Sequence, residues 1–132
     1  MVRQRKNTNR TQEIFEERFK KGVKLLLELS SKGVPIAVEG IKDITALRGM
    51  GLIGPIHTLA GHSIVSLADE LADSDQLLIL FDFDRRGEQL SRQLTHQLQG
   101  RGVHLLLKER SQLRRAFCWY SRVIEGLRFP VK

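Results

Sequence analysis

The feature that most constrains this chain is a series of short, almost wholly apolar segments that alternate with helical patterns. The strongest is residues 76–81 (QLLILF), and the others lie at residues 34–38, 55–59 and 103–107. Strands that are apolar on both faces are buried on both faces, which is typical of a parallel sheet covered by helices on each side. The sequence therefore predicts an α/β fold with an open, Rossmann-like parallel sheet of four strands, helices on both faces and right-handed crossovers.

Helices are predicted between and around these strands. Apolar residues recur at spacings of three and four over residues 11–31, 42–50, 63–72, 85–99 and 111–127, the last being a basic C-terminal helix. Ser63 is the predicted N-cap of the third helix. Residues 1–10 have no apolar periodicity and are predicted to form a disordered basic arm. The remainder, 11–132, is predicted to be one domain with its core over 34–108.

The net charge of +7 is unevenly distributed along the chain. Residues 1–10 carry +4 and residues 101–132 carry +6, so the segment between them is net acidic at −3. Basic ends around an acidic centre suit a carboxylate metal site framed by surfaces that attract phosphate. No apolar run is long enough to span a bilayer and the N-terminus has no apolar signal core, so we expect a cytoplasmic protein without membrane association.

Acidic residues follow two of the predicted strands at the point where each strand ends. Glu39 and Gly40 follow the first strand, whereas Asp82 and Asp84 follow the third, with Gly87 three residues further on. The carboxyl ends of parallel strands meet at one edge of a sheet, where ligands gather. Carboxylates at that edge repel one another unless a cation lies between them, and oxygen ligands suit Mg²⁺ or Mn²⁺. We therefore predict that Glu39, Asp82 and Asp84 hold Mg²⁺, with Mn²⁺ as a substitute.

Several charged residues near this edge are candidates for supporting roles. Arg85 and Arg86 begin the helix after the acids, where backbone N–H groups also favour phosphate. Lys108 and Arg110 belong to a basic cluster after the fourth strand and are predicted to bind substrate phosphate, although a solvated helix face is the alternative for each of these charges. Asp43 is either an acid that supports the site or an ordinary charge of a first helical turn. Gly40 and Gly87 are predicted to support the site as well.

These residues fall into motifs whose combination is specific. They are residues 38–43 (VEGIKD), residues 59–61 (LAG) after the second strand, and residues 81–87 (FDFDRRG). In this order they resemble the toprim domain, and the resemblance covers roughly residues 34–108. Toprim domains occur in topoisomerases, bacterial-type primases, recombination proteins and small nucleases. The chain looks most like the small stand-alone archaeal members, which are similar to the nuclease that matures 5S ribosomal RNA.

The resemblance implies that Glu39 acts as a general acid or base and that Asp82 and Asp84 bind Mg²⁺. Phosphodiester chemistry needs a cation that neutralises phosphate charge and a group that moves a proton at the attacking or leaving oxygen. Several toprim proteins have a third acid where this chain has Arg86, which suits a phosphate better than a second cation. The prediction is a Mg²⁺-dependent nuclease that acts in RNA or DNA processing.

Two other functions stay open on the sequence. One is a non-catalytic nucleic-acid-binding or adaptor subunit of a larger processing complex, which the small size favours because little chain remains for substrate recognition. A protein partner would then supply substrate specificity. The other is a small phosphotransfer or receiver-like domain. Lys108 after the fourth strand is consistent with such a domain, whereas Glu39 fits it poorly.

Overall fold

The computed structural model describes the backbone of residues 2–127 and the side chains of residues 10–127. Helices and strands alternate through this span as the apolar segments predict. In chain order they are α1 (Val2–Ser31), β1 (Ile36–Val38), α2 (Ile41–Gly49), β2 (Ile56–Thr58), α3 (Ile64–Leu71), β3 (Gln76–Ile79), α4 (Arg85–Leu98), β4 (His104–Leu105) and α5 (Leu107–Phe117), followed by a 3₁₀ helix at Ile124–Gly126.

The four strands form one parallel sheet in the order β2-β1-β3-β4. In β1, Ile36 is paired with Ile56 of β2 on one side and with Leu78 of β3 on the other, while Leu77 of β3 is paired with Leu105 of β4. All three pairings are parallel, which confirms the predicted open α/β sheet and gives the layout of a Rossmann-like fold.

Helices cover both faces of this sheet, again as predicted from the strands. Successive residues along β3 point to opposite faces. Leu77 and Ile79 pack in the core shared with α3 and α4, whereas Leu78 and Leu80 pack in the core shared with α1, α2 and α5. The two cores lie on either side of the sheet, so the strand ends are left open for a site at the edge.

The first helix is longer than the sequence predicts. Its backbone is helical from Val2, so the prediction of a disordered arm is wrong for residues 2–10. Neither glycine nor proline occurs over residues 2–21, and a helix that is already nucleated gains one backbone hydrogen bond for each residue added. The nucleus is the buried part of α1, where Phe19 and Leu26 pack in the core. Neither α1 nor any other helix of the described residues is long and apolar enough to cross a membrane.

The C-terminal helix also differs from its prediction over 111–127, because α5 begins at Leu107 and ends at Phe117. Beyond Phe117 the backbone leaves the helix, and hydrogen bonds of the Ser121 side chain hold a turn that follows. The Ser121 hydroxyl donates to the carbonyl of Val123 and accepts from the N–H of the same residue. The chain then turns back towards the sheet as the 3₁₀ helix. Residues 128–132 of the predicted domain lie outside the described residues.

Candidate functional site

A hydrogen bond joins the two strand ends that carry the predicted acids. Glu39 directly follows β1, and Asp82 lies in the loop between β3 and α4. Oε2 of Glu39 accepts a hydrogen bond from the backbone N–H of Asp82, with a distance of 2.7 Å between the two atoms. Because β1 and β3 are neighbours in the sheet, this bond fixes both acids at the carboxyl edge of its two central strands.

The third predicted acid, Asp84, is the N-cap of α4. Its Oδ1 accepts a hydrogen bond from the N–H of Gly87 at 2.8 Å, which satisfies one of the free donors at the start of the helix. Gly87 packs directly on the loop that carries the acids, since a Cβ there would collide with the carbonyl oxygen of Asp82. Only glycine allows this approach, which agrees with the supporting role predicted for it.

Asp43 and Gly40 close the site on the side of α2. The N–H of Gly40, the N-cap of α2, donates to Oδ2 of Asp43 at 3.0 Å. Asp43 is only 7% exposed, and its carboxylate also accepts a hydrogen bond from the backbone of Glu125 in the 3₁₀ helix. Its burial and its two backbone partners fit a supporting acid and not a solvated charge of the first helical turn.

Burial and mutual repulsion raise the pKa of three of these carboxyls. Burial raises the pKa of Glu39, and the charges of three neighbouring acids raise it further, against the opposing hydrogen bond from Asp82. Burial likewise raises the pKa of Asp82, with the charges of Asp84 and Glu125 adding to the increase. The pKa of Asp43 is raised by burial and by the charges of Asp82 and Glu125. Glu39, Asp43 and Asp82 take part in no ion pair among the side chains of residues 10–127.

Glu125 is a member of this acidic cluster that sequence reasoning missed. It reaches the site because the 3₁₀ helix is tied to the loop after β3: the N–H of Ile124 donates to Oδ1 of Asp82 at 2.8 Å. Glu125 itself is exposed. Its position depends on where the chain returns after α5, and the one local hint is Gly126, where a Cβ would collide with the Ser121 hydroxyl.

The chemistry of this cluster fits a hard divalent cation, although the cluster is not preformed as a coordination site. Carboxylate oxygens are the ligands that Mg²⁺ prefers. Within the described part of the chain, however, no three His, Cys, Asp or Glu side chains are arranged to hold a metal ion. Glu39, Asp82 and Asp84 each direct one carboxylate oxygen to a backbone N–H.

Three of the basic residues predicted to bind phosphate lie on the surface next to the cluster. Arg85 and Arg86 are exposed in the first turn of α4, directly after its N-cap. Lys108 is exposed in the first turn of α5, which follows the neighbouring strand β4. All three therefore lie at helix starts on the side of the sheet where the strands end.

The fourth, Arg110, is committed to partners inside the protein. Its side chain is 10% exposed, and Nη2 lies 2.6 Å from Oε1 of Glu88 and donates to the carbonyl of Phe81 at 3.4 Å. The guanidinium also lies over the Phe83 ring, 5.3 Å from its centroid. Arg110 thus fastens α5 to α4 and to the loop that carries the acids, a role that the sequence did not indicate.

Comparison with known proteins finds similar chains by sequence and by structure. A UPF0292 protein of Methanosarcina acetivorans is 34% identical over 106 residues, covering 77% of this chain and 74% of the relative. A UPF0292 protein of Methanocaldococcus jannaschii is 32% identical over 106 residues, covering 79% and 81%. A solved structure of a protein from Aquifex aeolicus matches 82% of this chain and 96% of its own, with a TM-score of 0.69 and 25% identity. No protein-family model matches the chain.

Proposed function

This chain belongs to the UPF0292 protein family, and from the geometry of its acidic cluster we propose that it carries out Mg²⁺-dependent phosphodiester chemistry on nucleic acid, as a nuclease in RNA or DNA processing. The observation that carries the proposal is the 2.7 Å hydrogen bond between Glu39 and the N–H of Asp82. It joins Glu39 to the loop of Asp82, two acids without an ion pair among the described side chains, at the carboxyl edge of a parallel sheet, where such folds bind their ligands.

The resemblance to toprim domains supports the same proposal. Of the three motifs that carry it, residues 38–43 begin at the last residue of β1, and residues 81–87 begin two residues after the end of β3. These strands pair with each other in the sheet. Residues that are more than forty positions apart in the sequence are therefore neighbours at one edge, as a shared phosphodiester site requires.

In this proposal Glu39 moves the proton. Its raised pKa brings the carboxyl closer to the pH at which a group both takes up and releases a proton. Oε2 accepts the N–H of Asp82, so Oε1 is the oxygen that carries the proton. Mg²⁺ held by Asp82 and Asp84 would neutralise charge on the reacting phosphate.

In this proposal the start of α4 binds phosphate. Arg85 and Arg86 place two positive charges beside Asp84, where the N-terminal N–H groups of the helix also favour an anion. Because Asp84 occupies the N-cap, the carboxylate and the two guanidiniums are held by the same helical turn. Gly87 keeps that turn against the loop after β3, which fixes the basic residues relative to the acids.

The test is Asp84→Asn in a cleavage assay with labelled RNA and DNA and with Mg²⁺. We expect cleavage to be abolished, since asparagine keeps the Oδ1 that caps α4 but removes the charge. The matched control is Asp69→Asn, which removes an exposed acid that pairs with Arg101 on the surface, and it should cleave like the wild type. Urea midpoints confirm that both variants fold. Equal cleavage by Asp84→Asn and the wild type would refute the proposal.

A non-catalytic nucleic-acid-binding or adaptor subunit is the second candidate, and one observation favours it. The predicted ligands each hold a backbone N–H, and among residues 10–127 no three acids form a ready metal site. In that case the acids would shape the loops, and a protein partner would supply the chemistry. A Mn²⁺ titration of isotope-labelled protein separates the two candidates: local broadening of amide signals around Glu39 and Asp84 supports the metal enzyme, and its absence supports the adaptor.

A further inference from the structure

A groove between α4 and α5 has a volume of about 560 Å³ and is rich in basic and hydroxyl side chains. Residues of both helices line it, among them Ser91, Arg92, Thr95 and His96 of α4 and Ser111 and Arg114 of α5. The two helices belong to cores on opposite faces of the sheet. The groove therefore lies at the side of the sheet where β4 is the outer strand.

Positive charge exceeds negative charge in this groove. Arg110 and Arg114 share a single carboxylate, with Nη2 of Arg110 2.6 Å from Oε1 of Glu88 and Nε of Arg114 3.2 Å from Oε2. Arg92 adds a third guanidinium, and Glu88 is the one acid among the residues that line the groove in the described structure. The excess positive charge is suited to a bound anion.

Arg110 gives independent evidence that the groove is incompletely satisfied. Its side chain is 90% buried and lines the groove, yet its Nε has no hydrogen-bond partner among the described residues. A buried guanidinium with an unsatisfied nitrogen is costly unless negative charge is close by. Glu88 already serves two arginines, so a further anion in the groove would stabilise this arrangement.

The shape of the groove fits a chain of phosphates better than a single small anion. Its lining runs along α4 from Glu88 to Gln99, about 16 Å at 1.5 Å per residue. One strand of a nucleic-acid duplex advances about 3.4 Å per phosphate, so this length accommodates several of them.

We propose that the groove between α4 and α5 holds the sugar-phosphate backbone of a nucleic-acid strand, with Arg92 and Arg114 on its phosphates. The Glu88 end of the groove lies one helical turn from Asp84, so a strand bound there leads into the acidic cluster. This inference rests on the proposed function, because it takes nucleic acid as the substrate. It assigns substrate binding to a surface that contains none of the predicted metal ligands.

The test compares Arg114→Ala with Arg115→Ala. Both residues are exposed and lie next to each other in the last turn of α5, but Arg114 lines this groove while Arg115 lines a separate one against α1. The probe is a fluorescein-labelled RNA oligonucleotide, with DNA of the same sequence, measured by anisotropy in EDTA over a range of salt. We expect Arg114→Ala and Arg92→Ala each to weaken binding about tenfold and to lower the salt slope by about 0.7. Arg115→Ala should bind like the wild type.

Equal weakening by Arg114→Ala and Arg115→Ala, or no binding of either probe by the wild type, would overturn the groove assignment. Tighter binding of polyglutamate than of RNA would overturn the nucleic-acid assignment and indicate an acidic protein partner. Cleavage separates this inference from the proposed function. If the wild type cleaves but the groove variants bind RNA normally, only the groove assignment is overturned. If the groove variants lose binding but the wild type never cleaves, only the nuclease proposal is overturned.

Discussion

The acidic cluster and the groove between α4 and α5 hold their charged groups in opposite ways. In the groove, Glu88 meets the guanidiniums of Arg110 and Arg114 directly. In the cluster, Glu39 and Asp82 meet backbone N–H groups, and burial together with neighbouring carboxylates raises the pKa of both. A backbone N–H fixes the position of a carboxylate without cancelling its charge. The carboxylates of the cluster are therefore held in place and remain negatively charged, as a cation site requires. In the groove the one acid among the described lining residues, Glu88, is paired with two arginines, and the groove keeps a net positive charge.

The largest effect that this comparison predicts is at the backbone that supports the cluster. Gly87→Ala places a Cβ 2.6 Å from the carbonyl carbon of Asp82, and neither backbone segment can move without disturbing the sheet edge or the start of α4. We expect the free energy of unfolding to fall by about 3 kcal/mol in urea titrations. Gly49→Ala is the control, because a Cβ there meets nothing within 4 Å and should stabilise α2 by about 0.5 kcal/mol. If both variants are equally stable, close backbone packing does not hold the cluster.

The next effect concerns the charge pairing of the groove. Arg110→Met fills similar space but removes the pair with Glu88, the hydrogen bond to Phe81 and the contact with the Phe83 ring. Because Glu88 retains its pair with Arg114, we expect the free energy of unfolding to fall by about 2 kcal/mol. This is less than the loss for a buried acid that is left without any partner.

Arg101→Met is the matched control for that variant, since it removes an arginine from a pair with Asp69 on the surface. We expect a change of no more than about 0.5 kcal/mol for it. If Arg110→Met unfolds at the wild-type urea midpoint, the pairing in the groove does not contribute to holding α5 on α4.

A similar contrast separates the features that the sequence predicts from those that it does not. Features that depend on neighbouring residues are predicted well: the apolar run that forms β3 is buried, and the Ser63 hydroxyl accepts from the N–H of Ser66 as the N-cap of α3. The convergence of Glu39 and Asp82 is also predictable, because parallel strands must end at one edge. Each of these follows from a local pattern or from a general rule of topology.

What the sequence does not predict depends on contacts between distant segments. The arrival of Glu125 at the site depends on the bond between Ile124 and Asp82, which are 42 positions apart. The burial of Arg110 depends on Glu88, which belongs to another helix. One signal for the groove was present, since Arg92 and His96, like Arg110 and Arg114, are spaced four apart and so lie on one face of each helix.

The smallest effect tests the charge of the cluster through pH. The raised pKa of Glu39 means that the folded state binds this proton more tightly than the unfolded chain does. Its contribution to stability is therefore fully present below the ordinary pKa of 4.5 and is lost as the pH rises through the raised value. Glu39→Gln cannot titrate and still offers an oxygen to the N–H of Asp82. We expect it to be more stable than the wild type near neutral pH, by no more than about 1 kcal/mol because solvent reaches the site.

Urea unfolding in EDTA at a series of pH values from about 4 to about 8 measures this difference. The wild type should lose stability relative to Glu39→Gln as the pH rises, whereas Glu13→Gln, which removes an exposed acid of α1, should follow the wild type throughout. Added Mg²⁺ should then stabilise the wild type at the upper end of the range more than it stabilises Glu39→Gln, which keeps Asp82 and Asp84 but has already lost the charge of Glu39. Parallel curves for all three proteins would mean that burial and the neighbouring acids do not raise the pKa of Glu39, and the contrast with the groove would no longer hold.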